Sequence, residues 1–97
     1  MRRENDPKVI VRVTVEFTVN GDMLPREIVW PDDSGAEVRY PIDRVRGVCQ
    51  AAARRAGGQG DRYTVVINGR ETYLFFERST DLTGSRLGTW FVERRSA

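Results

Sequence analysis

The stretch that decides the fold is Val-Ile-Val-Arg-Val-Thr-Val-Glu-Phe-Thr-Val, residues 9–19. Every odd-numbered position in it is apolar, and four of the five even-numbered positions are polar. Side chains alternate between the two faces of a β-strand, so this period of two predicts a strand with one buried and one mostly solvated face. The many β-branched side chains favour the same conformation.

The next residues predict a hairpin. Asn20-Gly21-Asp22 follows the first strand, and Asn-Gly readily adopts the positive φ of a hairpin turn. Residues 23–30 are therefore expected to return as a second strand. Pro25 has no amide hydrogen, which restricts the start of that strand to a sheet edge or a β-bulge.

A third strand is predicted after a turn at residues 31–35. Val38, Tyr40 and Ile42 alternate there with Glu37, Arg39 and Pro41. The turn contains Asp32-Asp33-Ser34-Gly35, which lacks the ligand spacing and the distal glutamate of a calcium loop. We interpret it as a solvated turn.

Residues 43–56 allow two interpretations. As a helix, they have Asp43 as N-cap and Gly57 after the last turn, with an apolar face at helical spacing. As a strand, only the first half fits, ending near Cys49 before an Ala-, Arg- and Gly-rich loop. The local pattern alone favours the helix. Residues 56–61 are expected to be a flexible loop.

The second hairpin is predicted at Asn68-Gly69, between alternating residues 62–68 and a following strand. A two-residue loop sets the expected pairs: Ile67 with Arg70, Val65 with Thr72, and Tyr63 with Leu74. Leu74 and Phe76 then join the buried face. Tyr73 and Phe75 share the opposite face with Arg62, although one more loop residue would reverse this. Residues 89–93 form a final strand.

Size and composition limit the protein class. The 97 residues suit one modest core, so we expect a disordered N-terminal segment at 1–7 and a single β domain at 8–95. The N-terminal residues are polar, and no apolar run long enough for a leader or a membrane span follows. A cytoplasmic location without membrane association is therefore expected.

The chain lacks the usual catalytic chemistry. It has no histidine and a single cysteine, Cys49. The common general base, a Cys–His nucleophile pair, a disulfide and a Cys/His zinc site are therefore all excluded within one chain. We expect no enzyme activity, no catalytic residues, no metal and no cofactor, and we expect Cys49 to be an inert buried thiol.

Positive charge is concentrated in the middle third of the chain. The net charge is +2, but residues 39–70 hold seven arginines against two aspartates, a local charge of +5. Arginines flank a glycine-rich loop there, and such a backbone-rich loop can close on a phosphate or carboxylate. Arginine beside aromatic rings is also how single-stranded nucleic acid is bound. The candidate anion-binding or nucleic-acid-binding residues are Arg54, Arg55, Gly57, Gly58, Gly60, Arg62, Tyr73 and Phe75.

Two less specific explanations compete with this site. An arginine-rich composition over the whole chain is what a GC-rich genome produces. Tyr73 and Phe75 can also simply pack under a loop or against Trp30, as most aromatic residues of small barrels do.

Several runs of the chain resemble a group of small bacterial proteins of unknown function. The resemblance covers residues 25–95 and rests on Ile28-Val29-Trp30, Tyr40-Pro41-Ile42-Asp43-Arg44-Val45, Gly57 to Val65, Tyr73 to Glu77 and Trp90 to Glu93. It implies an SH3-like β-barrel, and it implies that residues after Val45 continue as a strand. We therefore expect a mainly β fold, a small antiparallel SH3-like barrel of five to six strands. The alternative is an α+β fold with one helix at 43–56.

Function is left with competing hypotheses. The first is a non-enzymatic binding module for an anionic partner, with nucleic acid as the candidate. The second is a protein–protein interaction or accessory-subunit domain, or a homodimer that pairs through strand 9–19 as an exposed edge. The third, an enzyme that uses only carboxylates and arginine, has no motif to support it. The sequence leaves the oligomeric state open.

Overall fold

The computed structural model describes residues 8–52, 59–81 and 83–93, and it contains seven strands in this part of the chain. They are β1 (Lys8–Phe17), β2 (Met23–Pro31), β3 (Glu37–Pro41), β4 (Arg44–Ala52), β5 (Gln59–Ile67), β6 (Arg70–Arg78) and β7 (Gly88–Glu93). The predicted segment 1–7 lies outside the described residues. None of the described residues form a helix, and none could cross a bilayer as one.

All seven strands belong to one curled antiparallel sheet, a half-barrel, in the order β3-β2-β1-β7-β6-β5-β4. The mainly β class is confirmed, whereas the expected count of five to six strands is too low. The connection between β3 and β4 bridges distant parts of the sheet. The Ile42 amide donates to the Arg26 carbonyl of β2 at 2.9 Å, and the Asp43 amide donates to the Val66 carbonyl of β5 at 2.7 Å.

Strand β1 lies in the interior of the sheet, third in the strand order. Its first half, Lys8 to Val11, pairs with β7, and its second half, from Arg12, pairs with β2. The expectation that this strand is an exposed edge is therefore wrong, and the edges are β3 and β4. The strand also ends at Phe17, and Val19 stands fully exposed in the turn that follows.

A β-bulge explains how Pro25 is accommodated. Thr14 pairs with Glu27 and Val15 pairs with Pro25, so Arg26 is the extra residue in β2. The sequence predicted that Pro25 lies at a sheet edge or at a β-bulge, and the bulge is confirmed. The side chain of Pro25 is fully buried.

Residues 44–52 of the ambiguous stretch form strand β4, so the helix interpretation is wrong for them, and residues 53–56 lie outside the described residues. Val45 pairs with Val65, and after a bulge at Arg46 the pairing continues from Gly47 through Ala52. Ladder bonds to β5 outweigh the local helical spacing, because β-structure is stabilised by cross-strand neighbours that no local pattern contains. The strand runs three residues past its expected end at Cys49. It pairs back to Gln59, so residues 59–61 are strand and not loop.

The β5–β6 hairpin has the predicted register. Asn68 and Gly69 take positive φ values of 53° and 77°, as a tight two-residue turn requires. Ile67 pairs with Arg70, Val65 with Thr72 and Tyr63 with Leu74.

The core lies inside the curl of the sheet. Its buried members come from five of the strands and the β3–β4 connection, namely Val11, Ile28, Ile42, Tyr63, Val65, Leu74, Phe76 and Trp90. The Trp90 ring packs against the rings of Tyr63 and Phe76 with centroids 5.1 and 4.8 Å apart. Tyr63 and Leu74 lie on the buried face that the hairpin register predicts, and Trp30 is partly buried against the same cluster.

Candidate functional site

One row of paired residues crosses five strands on the outer face of the sheet, the face turned away from the core. We call it the outer row. Its members are Cys49 of β4, Arg62 of β5, Phe75 of β6, Phe91 of β7 and Ile10 of β1, each the Cα partner of the next. Strand alternation forces this placement once Tyr63, Leu74 and Trp90 point into the core. The row brings together residues that are far apart in the sequence.

The centre of the outer row is a buried aromatic pair. Phe75 and Phe91 are only 3% and 1% exposed, and their rings stack with centroids 5.1 Å apart and planes 11° apart. Lys8 lies over the Phe91 ring with its ammonium 4.8 Å from the centroid, and it forms a 2.8 Å ion pair with Glu77. The sequence correctly places Phe75 on the outer face, but a buried ring offers no stacking surface to a ligand.

Arg62 and Tyr73 form the open part of this face. The Arg62 guanidinium lies over the Tyr73 ring at 4.5 Å from its centroid, and Tyr73 remains 48% exposed. Such a cation–π contact is favourable where the cation is partly desolvated. The predicted sharing of one face by Arg62, Tyr73 and Phe75 is confirmed.

Arg62 is also distinctive in its polar contacts. Five described arginines each lie within ion-pair distance of a carboxylate: Arg12, Arg26, Arg39, Arg46 and Arg78. Arg62 has no such partner among the described residues, and its buried Nε atom has no hydrogen-bond partner there. Arg44, Arg70 and Arg86 likewise lack a described carboxylate partner, but they are exposed, whereas Arg62 is partly buried. A partly desolvated cation without an anion is well placed to bind one.

The structure describes only part of the predicted loop. Arg54, Arg55, Gly57 and Gly58 lie outside the described residues. Gly60 lies in β5, and a Cβ atom there would overlap the Phe76 carbonyl oxygen of β6. Close approach of two strands therefore requires this glycine, and no anion-binding role is needed to explain it.

Cys49 differs from its prediction, because its side chain is exposed. Its Cα partner is Arg62, so it points to the outer face and not to the core. Strand β4 is a sheet edge, so Cys49 has a neighbouring strand on one side only. The apolar residues around Cys49 suggested that it is buried. The β-bulge at Arg46, which changes the face on which the following side chains lie, could not be predicted from that pattern.

Two described carboxylates, Asp32 and Asp81, have perturbed pKa values. Hydrogen bonds from Ser34, first its hydroxyl and then its amide, lower the pKa of Asp32, and bonds from Thr83 lower that of Asp81. Neither has the raised pKa that a general acid needs. The Asp32 contacts support the interpretation as a solvated turn. No group of three or more metal-ligating side chains occurs among the described residues.

Sequence reasoning missed Phe91 and Lys8. The signal for Phe91 was present in Trp90-Phe91-Val92, because a continuous apolar run predicts a strand buried on both faces. Lys8 gave no such signal. Its contact with Phe91 depends on the pairing of β1 with β7, which is a long-range feature of the fold.

Comparisons with known proteins find no relative of the chain. No protein-family model, no curated protein and no solved structure matches it. The family resemblance therefore has no independent support, and the fold that it implies is supported only as a small antiparallel β half-barrel.

Proposed function

We propose that the chain is a non-enzymatic binding module for an anionic partner, with single-stranded nucleic acid as the ligand that its outer face suits best. The observation that carries the proposal is the Arg62 guanidinium, which lies over the half-exposed Tyr73 ring and has no carboxylate partner among the described residues. Recognition by charge together with a flat stacking surface is the common mode for single strands.

The Arg62–Tyr73 pair supports stacking of a base. A guanidinium is planar and delocalised, and bases stack on such planes as well as on aromatic rings. The contact with Tyr73 restrains the guanidinium, so less side-chain entropy is lost when a base arrives. The exposed rim of the Tyr73 ring provides a second apolar surface beside it.

The surrounding charges support a phosphate near the base. Arg62 can donate hydrogen bonds to phosphate oxygens from a fixed fork. Arg44, the Cα partner of Val66 on the next strand, is exposed and has no described ion pair. Arg46 is less available, because it lies 3.0 Å from Glu71.

Binding of a fluorescent oligothymidine about 12 nucleotides long, within the length that one small β-barrel covers, tests the proposal by anisotropy over a salt series. Tyr73→Ala is expected to weaken binding about tenfold, as loss of one stacked base does. Arg62→Gln is expected to weaken binding and to reduce the slope of log affinity against log salt by about one. A duplex of the same length should bind more weakly than the single strand, because paired bases cannot stack on Tyr73.

Arg39→Gln is the matched control. Arg39 is an outer-face arginine at the far end of the sheet, and it is held by Glu27 at 2.7 Å. It loses the same charge but is expected to change affinity less than Arg62→Gln. Equal effects of the two arginine variants, or no effect of Tyr73→Ala, would contradict the proposed site.

The proposal extends to the family, the closure of the barrel and the location of the protein. Closure as an SH3-like barrel is compatible with the half-barrel, and membership in the group of small bacterial proteins and a cytoplasmic location are proposed beside it. All three rest on the sequence alone.

A further inference from the structure

One glycine in the interior of a strand has no requirement that the fold explains. Glycine is unfavourable in strands, and it commonly marks a positive φ, close contact with another strand or close approach of a ligand. Gly47 of β4 does not have a positive φ, and no atom lies within 4 Å of its Cβ position. The other described glycines have one of the first two causes. Gly21, Gly35, Gly69 and Gly84 take positive φ values, and a Cβ atom at Gly60 or Gly88 would overlap the backbone of β6.

The bulge at Arg46 places Gly47 on the outer face. Val45 pairs with Val65 and packs against the core, whereas Gly47 pairs with Thr64, so Arg46 is the extra residue between the two pairs. Without the bulge, residues 45 and 47 would lie on the same face of the strand. Bulges redirect side chains and are frequent beside functional sites. This bulge brings the one glycine of β4 to the face that bears Arg62.

Gly47 leaves a gap in the outer face, and we call the exposed space over Gly47 and beside Thr64 the notch. Gly47, Thr64 and Tyr73 form a row of Cα partners across β4, β5 and β6. Arg62 has two diagonal neighbours, Tyr73 on one side and Gly47 on the other, and a long side chain can reach either. Its guanidinium lies over Tyr73, so the space over Gly47 stays open.

The charges beside the notch are mainly positive. Arg62 lies in the next row on one side, and Arg44 and Arg46 lie on the other side. In these two rows Glu71 is the one described carboxylate, and it is 3.0 Å from Arg46. Three cations and one carboxylate leave a balance of two positive charges. The Thr64 hydroxyl adds a hydrogen-bond donor at the edge of the notch.

We propose that the notch holds a phosphate group of the single strand whose base stacks on Tyr73. This inference rests on the proposed function and adds the course of the ligand backbone, which runs from β6 across β5 to β4. Arg62 and the Thr64 hydroxyl donate to the phosphate oxygens. Gly47 allows the phosphate to approach the sheet backbone closely, as a side chain there would not.

Gly47→Val tests the notch by filling it, with the fluorescent oligothymidine of about 12 nucleotides as the probe. Affinity is expected to fall about tenfold, because the phosphate loses its charge-assisted hydrogen bonds. Gly47→Ala fills less of the space and should lose about threefold. Neither variant should lower the midpoint of thermal denaturation, since the added atoms meet no other atom and valine favours a strand.

Two further variants serve as comparison. Ala36→Val adds apolar bulk at an exposed position beside the far edge of the sheet, and it should leave affinity unchanged. Thr64→Val keeps the shape of the side chain and removes the donor, so it tests the notch without adding bulk. It should weaken binding about fivefold.

The salt dependence tests whether the group in the notch is a phosphate. Gly47→Val should reduce the slope of log affinity against log salt by about one, as Arg62→Gln does. The double variant G47V/R62Q should reduce the slope no further, because both changes remove the same phosphate contact. Its loss of affinity should be smaller than the product of the two single losses.

The outcomes separate this inference from the proposed function. If Tyr73→Ala weakens binding but Gly47→Val and Thr64→Val do not, the proposed function stands and the notch holds no phosphate. If Gly47→Val weakens binding without changing the salt slope, the notch holds an uncharged part of the ligand and the inference is wrong. An equal effect of Ala36→Val would also overturn it. If the unmodified protein does not bind oligothymidine at low salt, both proposals fail.

Discussion

The two halves of the outer face cover their buried side chains in different ways. On β1–β3, Val29 is buried beneath charged side chains that pair with each other: Arg12 with Glu37, and Arg39 with Glu27. On β4–β7, Phe75 and Phe91 are buried beneath Lys8 and Glu77. Beside this aromatic pair, however, Arg62 contacts the Tyr73 ring and has no carboxylate partner among the described residues.

Under the proposed function, the difference explains why one half of the outer face would bind an anion and the other would not. An arginine opposite a glutamate is neutralised within the protein, and its aliphatic stem covers apolar surface. An arginine beside an aromatic ring is held in place and keeps its charge. The Arg62–Tyr73 pair is therefore positioned like the paired arginines but remains open to an anion.

The largest expected effect comes from removing the buried ring. Phe91→Ala is expected to lower the free energy of unfolding by about 3–5 kcal/mol, because it leaves a cavity under Lys8 and beside Phe75. Val29→Ala, at the equivalent buried position of the other half, should cost about 2 kcal/mol. Urea denaturation measures both. If Phe91→Ala lowers the free energy of unfolding by less than Val29→Ala does, the aromatic pair is not packed more tightly than the site around Val29.

The second prediction tests whether position 60 requires glycine because strands β5 and β6 approach closely there. Gly60→Ala is expected to destabilise the protein by roughly 1–3 kcal/mol, because the added Cβ meets the backbone of Phe76. Gly47→Ala on the neighbouring strand should change stability by less than about 0.5 kcal/mol, since no atom lies within 4 Å of its Cβ position. Equal losses in thermal denaturation would contradict the close approach at Gly60.

The third prediction concerns a variant that gives Arg62 an ion-pair partner in place of the Tyr73 ring. Tyr73→Glu supplies Arg62 with the carboxylate that Arg39 already has, so oligonucleotide affinity should fall by about tenfold or more. Stability should change by less than about 1 kcal/mol, since an exposed ion pair contributes little. Tyr73→Gln removes the ring without adding charge and should lose less affinity. If both variants bind equally, pairing of Arg62 is not what controls binding.

The smallest effect is expected from the reverse change. Glu27→Gln removes the nearer of the two carboxylates beside Arg39, while Glu37 stays at 3.9 Å. Affinity for the oligonucleotide should therefore rise by no more than about threefold at low salt. Anisotropy at low and high salt measures the gain, which should vanish when salt screens it. A gain that persists at high salt would indicate a second stacking site on this half.

Much of this fold was predictable from local patterns, and the exceptions have a common cause. Asn68-Gly69 set a hairpin register that the structure reproduces, because a two-residue turn leaves the strands no freedom to slip. The helical spacing of residues 43–56 predicted the wrong element over 44–52, because the cross-strand ladder to β5 that stabilises β4 is not contained in the local spacing. Of the candidate site, the shared face of Arg62, Tyr73 and Phe75 was predictable. The burial of Phe75 was not, since its cover comes from β1 and β7.

The sequence by itself determined the strands that alternate, the tight turn at Asn68 and the absence of histidine chemistry. These are properties of residue type and of near neighbours, which act within a few residues. The tertiary structure decided the interior position of β1, the burial of Phe75 against Phe91, the exposure of Cys49 and the place of β4 at an edge of the sheet. Each depends on which strands lie side by side, and strand order is set by contacts between residues far apart in the chain.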